Sequence, residues 1–155
     1  MDLIDILPED SVLFGGGIRS KTDLFKLLAD HTSRRLGKSA ETVLAALEAR
    51  EALASTGIGG GIAVPHGKLP GLPGVVAVFV RLPQPVEFGS VDDEPVDLVM
   101  MLLAPQGAGA DHLKALARVA RILRTERLVD QLRGTGDPAR LHALLTAPMA
   151  THQAA

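Results

Sequence analysis

Residues 96–103 read VDLVMMLL and residues 75–82 read VVAVFVRL. In both runs apolar side chains fill the alternating positions, so a strand built from either is apolar on both faces. Such a strand belongs in a sheet that is covered on both sides. PQPVEFGS, which follows the first run, reads as an extended edge or turn segment. The fold therefore depends on what the rest of the chain can lay over the two runs.

Helical signals lie on either side of them. Ser20-Lys21-Thr22-Asp23 is a capping-box pattern, a hydroxyl at the N-cap with an acid three residues later. It opens a helix with Leu24, Leu27, Leu28 and His31 on one face, and Gly37 ends it. Ser39 starts a second helix through AETVLAALEAR, with Val43, Leu44 and Leu47 apolar and Arg50 near its end. Downstream of the apolar runs, Asp111 is the candidate N-cap of a third helix. The spacing predicts Leu113, Leu116, Ala117, Ala120 and Leu123 toward the core, with Lys114, Arg118 and Arg121 opposite. TERLVDQLRG predicts a fourth helix stopped by Gly134. Asp137-Pro138 supplies an N-cap followed by proline at N1 for a last helix through Leu145. Helices, strands, then helices around one sheet predict a single α/β or α+β sandwich, one domain over 1–147 with a frayed tail at 148–155.

Composition removes several classes of function. The net charge is −2 and the pI near 6.2, which gives nucleic acid no electrostatic reason to bind. The absence of cysteine excludes disulfides, thiol catalysis and cysteine-ligated metal. The N-terminus MDLIDILPED is too short in its apolar run for a signal peptide, and no stretch approaches a membrane span. A cytoplasmic protein is expected.

The chemistry concentrates in residues 55–71, STGIGGGIAVPHGKLPG, where six of seventeen residues are glycine. Glycine is costly to order unless the backbone needs a conformation or a close approach that other residues forbid. GIAVPH within this stretch can carry a strand ending at Pro65. A dinucleotide fingerprint starting at Gly57 needs glycine at 62, where Ile62 stands. A phosphate loop ending in Gly67-Lys68 fails at Ile62 and again at Leu69. The histidines 31, 66, 112, 142 and 152 have no metal-ligand spacing, and no G-x-S-x-G is present. What remains for His66 is an ordinary loop histidine in a glycine-rich turn or a histidine that itself accepts a group, since neutral imidazole is a good nucleophile near pH 7. If that group is a phosphoryl, glycine amides at Gly59, Gly60, Gly61 and Gly67 could surround its oxygens, with an arginine to assist.

GIGGGIAVPHGKLPG resembles the signature of the enzyme IIA domains of the bacterial phosphotransferase system, in the fructose–mannitol (type 2) superfamily. The likeness is closest to the nitrogen-regulatory type. ALEAREALASTGIG and VDDEPVDLVMMLLAPQGAGADHLKALARVARIL match as well, so the resemblance covers most of residues 40 to 125. It implies an α/β fold, a single mixed β-sheet sandwiched by helices on both faces. It also implies that His66 is the phosphorylated residue, His112 its active-site neighbour and Arg50 a residue beside the phosphoryl group, with no cofactor and no metal. The implied donor is an HPr-like, histidine-phosphorylated carrier protein. The phosphoryl then either serves as a regulatory signal to protein targets or passes to a IIB domain of a fructose- or mannitol-type permease. A binding module that keeps the fold without transfer is the remaining alternative. His112 near a helix start fits the implied role, since the positive dipole end disfavours its protonation, and Gly107 and Gly109 lead to free helix amides.

Overall fold

In the computed structural model, which describes residues 2–147, the two apolar runs pair with each other at the centre of one sheet. The predicted tail at 148–155 lies outside the described residues. In chain order the elements are α1 (Leu3–Ile6), a 3-10 turn (Glu9–Ser11), β1 (Val12–Phe14), α2 (Lys21–Leu36) and α3 (Ala40–Leu53). There follow β2 (Gly57–Gly59), β3 (Ile62–Ala63), β4 (His66–Leu69), β5 (Val76–Val86) and β6 (Val96–Pro105). The chain then forms α4 (Gly109–Ile122), α5 (Glu126–Arg133) and α6 (Pro138–Leu145).

The sheet has the order β1-β5-β6-β3-β2, and β4 also pairs with β6. β5 and β6 are antiparallel, whereas β1 runs parallel to β5, and β3 and β4 run parallel to β6. The sheet is therefore mixed, as the resemblance implied. Its two faces separate by residue parity, as a pleated strand requires. Phe79, Leu98, Met100 and Leu102 pack into one core with α4, α5 and α6. Val78, Val80, Val99, Met101 and Leu103 pack into a second core with α2 and α3. Eight of these nine side chains are wholly enclosed or nearly so, and Val78 is buried beside them.

The capping signals place α2 and α3. Ser20 Oγ accepts from the Asp23 amide at 3.0 Å, and Asp23 reaches back to the Arg19 amide at 3.3 Å, one residue before the cap. Ser39 Oγ accepts from the Thr42 amide, and Gly37 ends α2 with a left-handed φ of 70°. Asp137 and Pro138 open α6 as their order predicts.

Four expectations are corrected. The strand expected to end at Pro65 instead breaks there: β3 stops at Ala63, the Pro65 carbonyl accepts from Leu102, and pairing with β6 resumes at His66. Proline has no N–H to donate, so it interrupts the edge without ending it. PQPVEFGS is strand as far as Val86, with a register shift between Arg81 and Val86 where Pro83 and Pro85 fall. Asp111 is not the N-cap of α4; the helix starts at Gly109 with Ala108 at its cap. The buried face of α4 is also turned: His112, Ala115, Val119 and Ile122 face inward, and Leu113 is 69% exposed. No described helix is long and apolar enough to cross a membrane.

Candidate functional site

β4 has no strand beyond it on its outer side among the described residues, so helices from both faces of the sheet can meet around it. α3 approaches from one face and α4 from the other. α3 packs directly on β4 at Gly67, where a Cβ would meet Ala46 at 3.4–3.5 Å, an ordinary van der Waals contact. Between the helices lies a cleft of about 620 Å³ lined by Arg50, Leu53, His66, Lys68, Gly109 and His112 among others. The three side chains singled out in the sequence thus converge, although Arg50 and His112 are 62 positions apart in the chain.

The hydrogen bonds of His66 define its tautomer. Nδ1 lies 2.8 Å from the Val64 carbonyl oxygen, which can only accept, so Nδ1 carries the proton. Nε2 then holds a lone pair, and it accepts from Arg50 Nε at 3.1 Å. Arg50 Nη1 donates to the Ala54 carbonyl at 2.8 Å, fixing the guanidinium across the end of its own helix. The His112 ring stands edge-on to the His66 ring, with centroids 5.6 Å apart. His112 is only 6% exposed, and its Nε2 is buried without a hydrogen-bond partner among the described residues. A buried, unpaired polar atom is costly and marks a place where a ligand atom would be welcome.

Both imidazoles are biased toward the neutral form. Burial lowers the pKa of His66, with a further lowering from the Arg50 charge, against raising contributions from the Val64 carbonyl and Glu51. Burial also lowers that of His112, helped by His66 and by the Lys68 ammonium. Burial and neighbouring arginines depress His31 likewise, whose Nε2 is 3.0 Å from Ser11 Oγ. A folded state that resists protonation keeps its full stability above the unfolded histidine value near 6.5 and loses it as pH falls through the depressed folded values. Urea unfolding should therefore give a lower free energy at about pH 5.5 than at about pH 7.5. Replacing His66, His112 and His31 by glutamine should flatten that slope. A slope of the opposite sign would contradict the burial argument.

The glycine run does not join the cleft. Gly59, Gly60 and Gly61 form the turn between β2 and β3, with φ of 98°, 66° and 81°. The Gly60 amide donates to Asp92 Oδ2 at 2.9 Å, and its carbonyl accepts from Arg133 Nη2 at 2.6 Å. The Gly61 carbonyl accepts from the amides of Asp97 and Leu98. Arg133 also grips Asp97 through two hydrogen bonds of 2.9 Å. Of the four glycines expected to present amides to a phosphoryl group, Gly67 lines the cleft and the triplet is engaged elsewhere. The amides of Gly109, Ala110 and Asp111, which helix geometry leaves without intrahelical acceptors, lie in the first turn of α4, whose Gly109 lines the cleft. Sequence reasoning passed over Asp97, Arg133 and Glu51. Asp97 was signalled by being the one acid in an otherwise apolar strand run.

Comparison with known proteins shows the family of the chain. Residues 5–147 match the family described as "Phosphoenolpyruvate-dependent sugar phosphotransferase system, EIIA 2". The chain belongs to this type-2 enzyme IIA family. It is 42% identical over 151 residues to a nitrogen regulatory protein of Bradyrhizobium diazoefficiens, covering 97% of this chain and 99% of that one. A nitrogen regulatory protein of Escherichia coli is 35% identical over 129 residues, 83% of this chain and 79% of the relative. Among solved structures, the nitrogen regulatory protein IIA-Ntr of Neisseria meningitidis superposes with a TM-score of 0.85 at 33% identity, covering 92% of this chain and 97% of that one. Within the enzyme IIA family the likeness is therefore to the nitrogen-regulatory branch, as the resemblance implied.

Proposed function

We propose that this enzyme IIA chain is a phosphohistidine carrier of a nitrogen-related phosphotransferase branch, with His66 the residue that takes the phosphoryl group. The observation that carries the reading is the His66 tautomer: an unprotonated Nε2 facing Arg50 across the cleft, its Nδ1 proton held by Val64. Nε2 attacks the phosphorus of an HPr-like carrier's phosphohistidine. One N–P bond forms as the donor's N–P bond breaks, and the donor ring leaves with that electron pair. No proton has to move, because Nδ1–H remains on the Val64 carbonyl and stabilises the positive charge the ring acquires.

Arg50 gives up the lone pair as the bond forms and pairs with phosphoryl oxygens, which suits a guanidinium. His112 Nε2, when it carries the ring proton, finds its missing acceptor in a phosphoryl oxygen. The α4 amides and Lys68 add positive potential at the same place. The group brings close to two negative charges to the cleft rim, enough to change which protein surface is complementary to it. The nitrogen regulatory relatives support a signalling use of that change.

The test is incubation with phosphoenolpyruvate, enzyme I and an HPr-like carrier protein. The chain should gain the mass of one phosphoryl group, retained in alkali and lost in acid, as an N–P bond requires. No gain would overturn the proposal. Rapid passage of the group to a IIB domain of a fructose- or mannitol-type permease would move the chain to the transport branch.

A further inference from the structure

Glu51 is the residue after Arg50, and its side chain is only 8% exposed although charged. A carboxylate survives such burial only when donors replace its water. Lys21 Nζ reaches Oε2 at 2.7 Å, the Thr56 amide lies 3.1 and 3.0 Å from the two oxygens, and the Thr56 hydroxyl donates to Oε1. Burial alone would push this carboxyl up, and the bonds from Lys21, Thr56 and Ser55 outweigh it and hold it low. Lys21 is itself fixed by the Phe88 carbonyl at 2.9 Å and by the Phe88 ring.

The consequence runs toward the cleft. With Thr56 clamped to Glu51, the short turn 54–56 has little freedom, and Ala54 within it presents the carbonyl that receives Arg50 Nη1. That bond orients the guanidinium so that Nε meets His66 Nε2. We propose that Glu51 is a positioning residue for the His66 site, acting through the 54–56 turn and Arg50 without touching the reacting group. This rests on the reading of His66 as phosphoryl acceptor, and it assigns the neighbouring acid a purpose beyond holding two helices together.

Glu51→Gln keeps the shape and removes the charge that gathers the donors. In the full chain, the ¹⁵N resonance of His66 Nε2 should move from its hydrogen-bonded position toward that of Arg50→Ala. Phosphoryl uptake in a single turnover should slow about tenfold, while the carrier concentration for half-maximal rate stays within about twofold. In an Arg50→Ala background the same substitution should change the rate less than about twofold, because its route of action is gone. An unshifted Nε2 resonance, or equal slowing in both backgrounds, overturns the proposal. Thr56→Val, which removes one hydroxyl only, should give the same displacement in smaller measure and serves if Glu51→Gln fails to fold. Should the wild-type chain take up no phosphoryl at all, the proposed function falls, and the nitrogen resonance still judges Glu51 by itself.

Discussion

His66→Gln should take up no phosphoryl from the HPr-like carrier at any carrier concentration, with its thermal unfolding almost unchanged. Glutamine can still donate an N–H to the Val64 carbonyl and accept from Arg50 Nε, so the cleft keeps its shape. It offers no lone pair of imidazole basicity, because an amide nitrogen is delocalised into its carbonyl. The loss should be complete, and mass spectrometry of the intact chain reads it directly. Any phosphoryl retained by His66→Gln would place the acceptor elsewhere. His112→Ala is the informative partner. The nucleophile survives in that variant, so uptake should persist, while onward transfer slows by about 10²-fold through loss of an oxygen-stabilising donor. Normal onward transfer would remove His112 from the chemistry.

Periodicity and caps made the frame legible. Runs apolar on both alternating faces read as strands with both faces covered, and Ser20, Ser39 and Asp137 start their helices where hydroxyl and carboxylate caps are strongest. The turned face of α4 escaped for an instructive reason. Periodicity marks the face with the most leucine as buried, yet position 112 holds an imidazole in an inward place and Leu113 looks out over the rim of the cleft. A site residue displaced the apolar pattern from which the helix face is read. β1 and β2 escaped because three-residue strands have too little alternation to be seen, and β2 contains two glycines. In the candidate site, Arg50, His66 and His112 were nameable because each lies in a motif. Glu51 was not, since its importance comes from Lys21 and Thr56, which only folding brings to it.

The glycine triplet tests how far a motif can be trusted to mark chemistry. Gly61→Ala should destabilise the chain by about 2–4 kcal/mol, combining an alanine forced into left-handed backbone with loss of a half-exposed ion-pair cluster. The backbone at Gly61 has φ of 81°, and a Cβ there would stand 2.5 Å from Arg133 Nη2 and 2.9 Å from Asp97 Oδ1. Arg133 must then swing away and release Asp97 and the Gly60 carbonyl together. For a chain of this length the melting temperature should fall by roughly 10 °C, measurable by calorimetry. At low temperature, where the variant is folded, phosphoryl uptake on His66 should stay within about twofold of wild type, because the triplet makes no part of the cleft and the two sites share no partner. Uptake that collapses in a folded Gly61→Ala chain would return the triplet to the phosphoryl site. Stability lost with transfer intact would mean that the three glycines next to the PHG motif serve the β2–β3 turn and its arginine clamp, and that adjacency in sequence overstated their share in the chemistry.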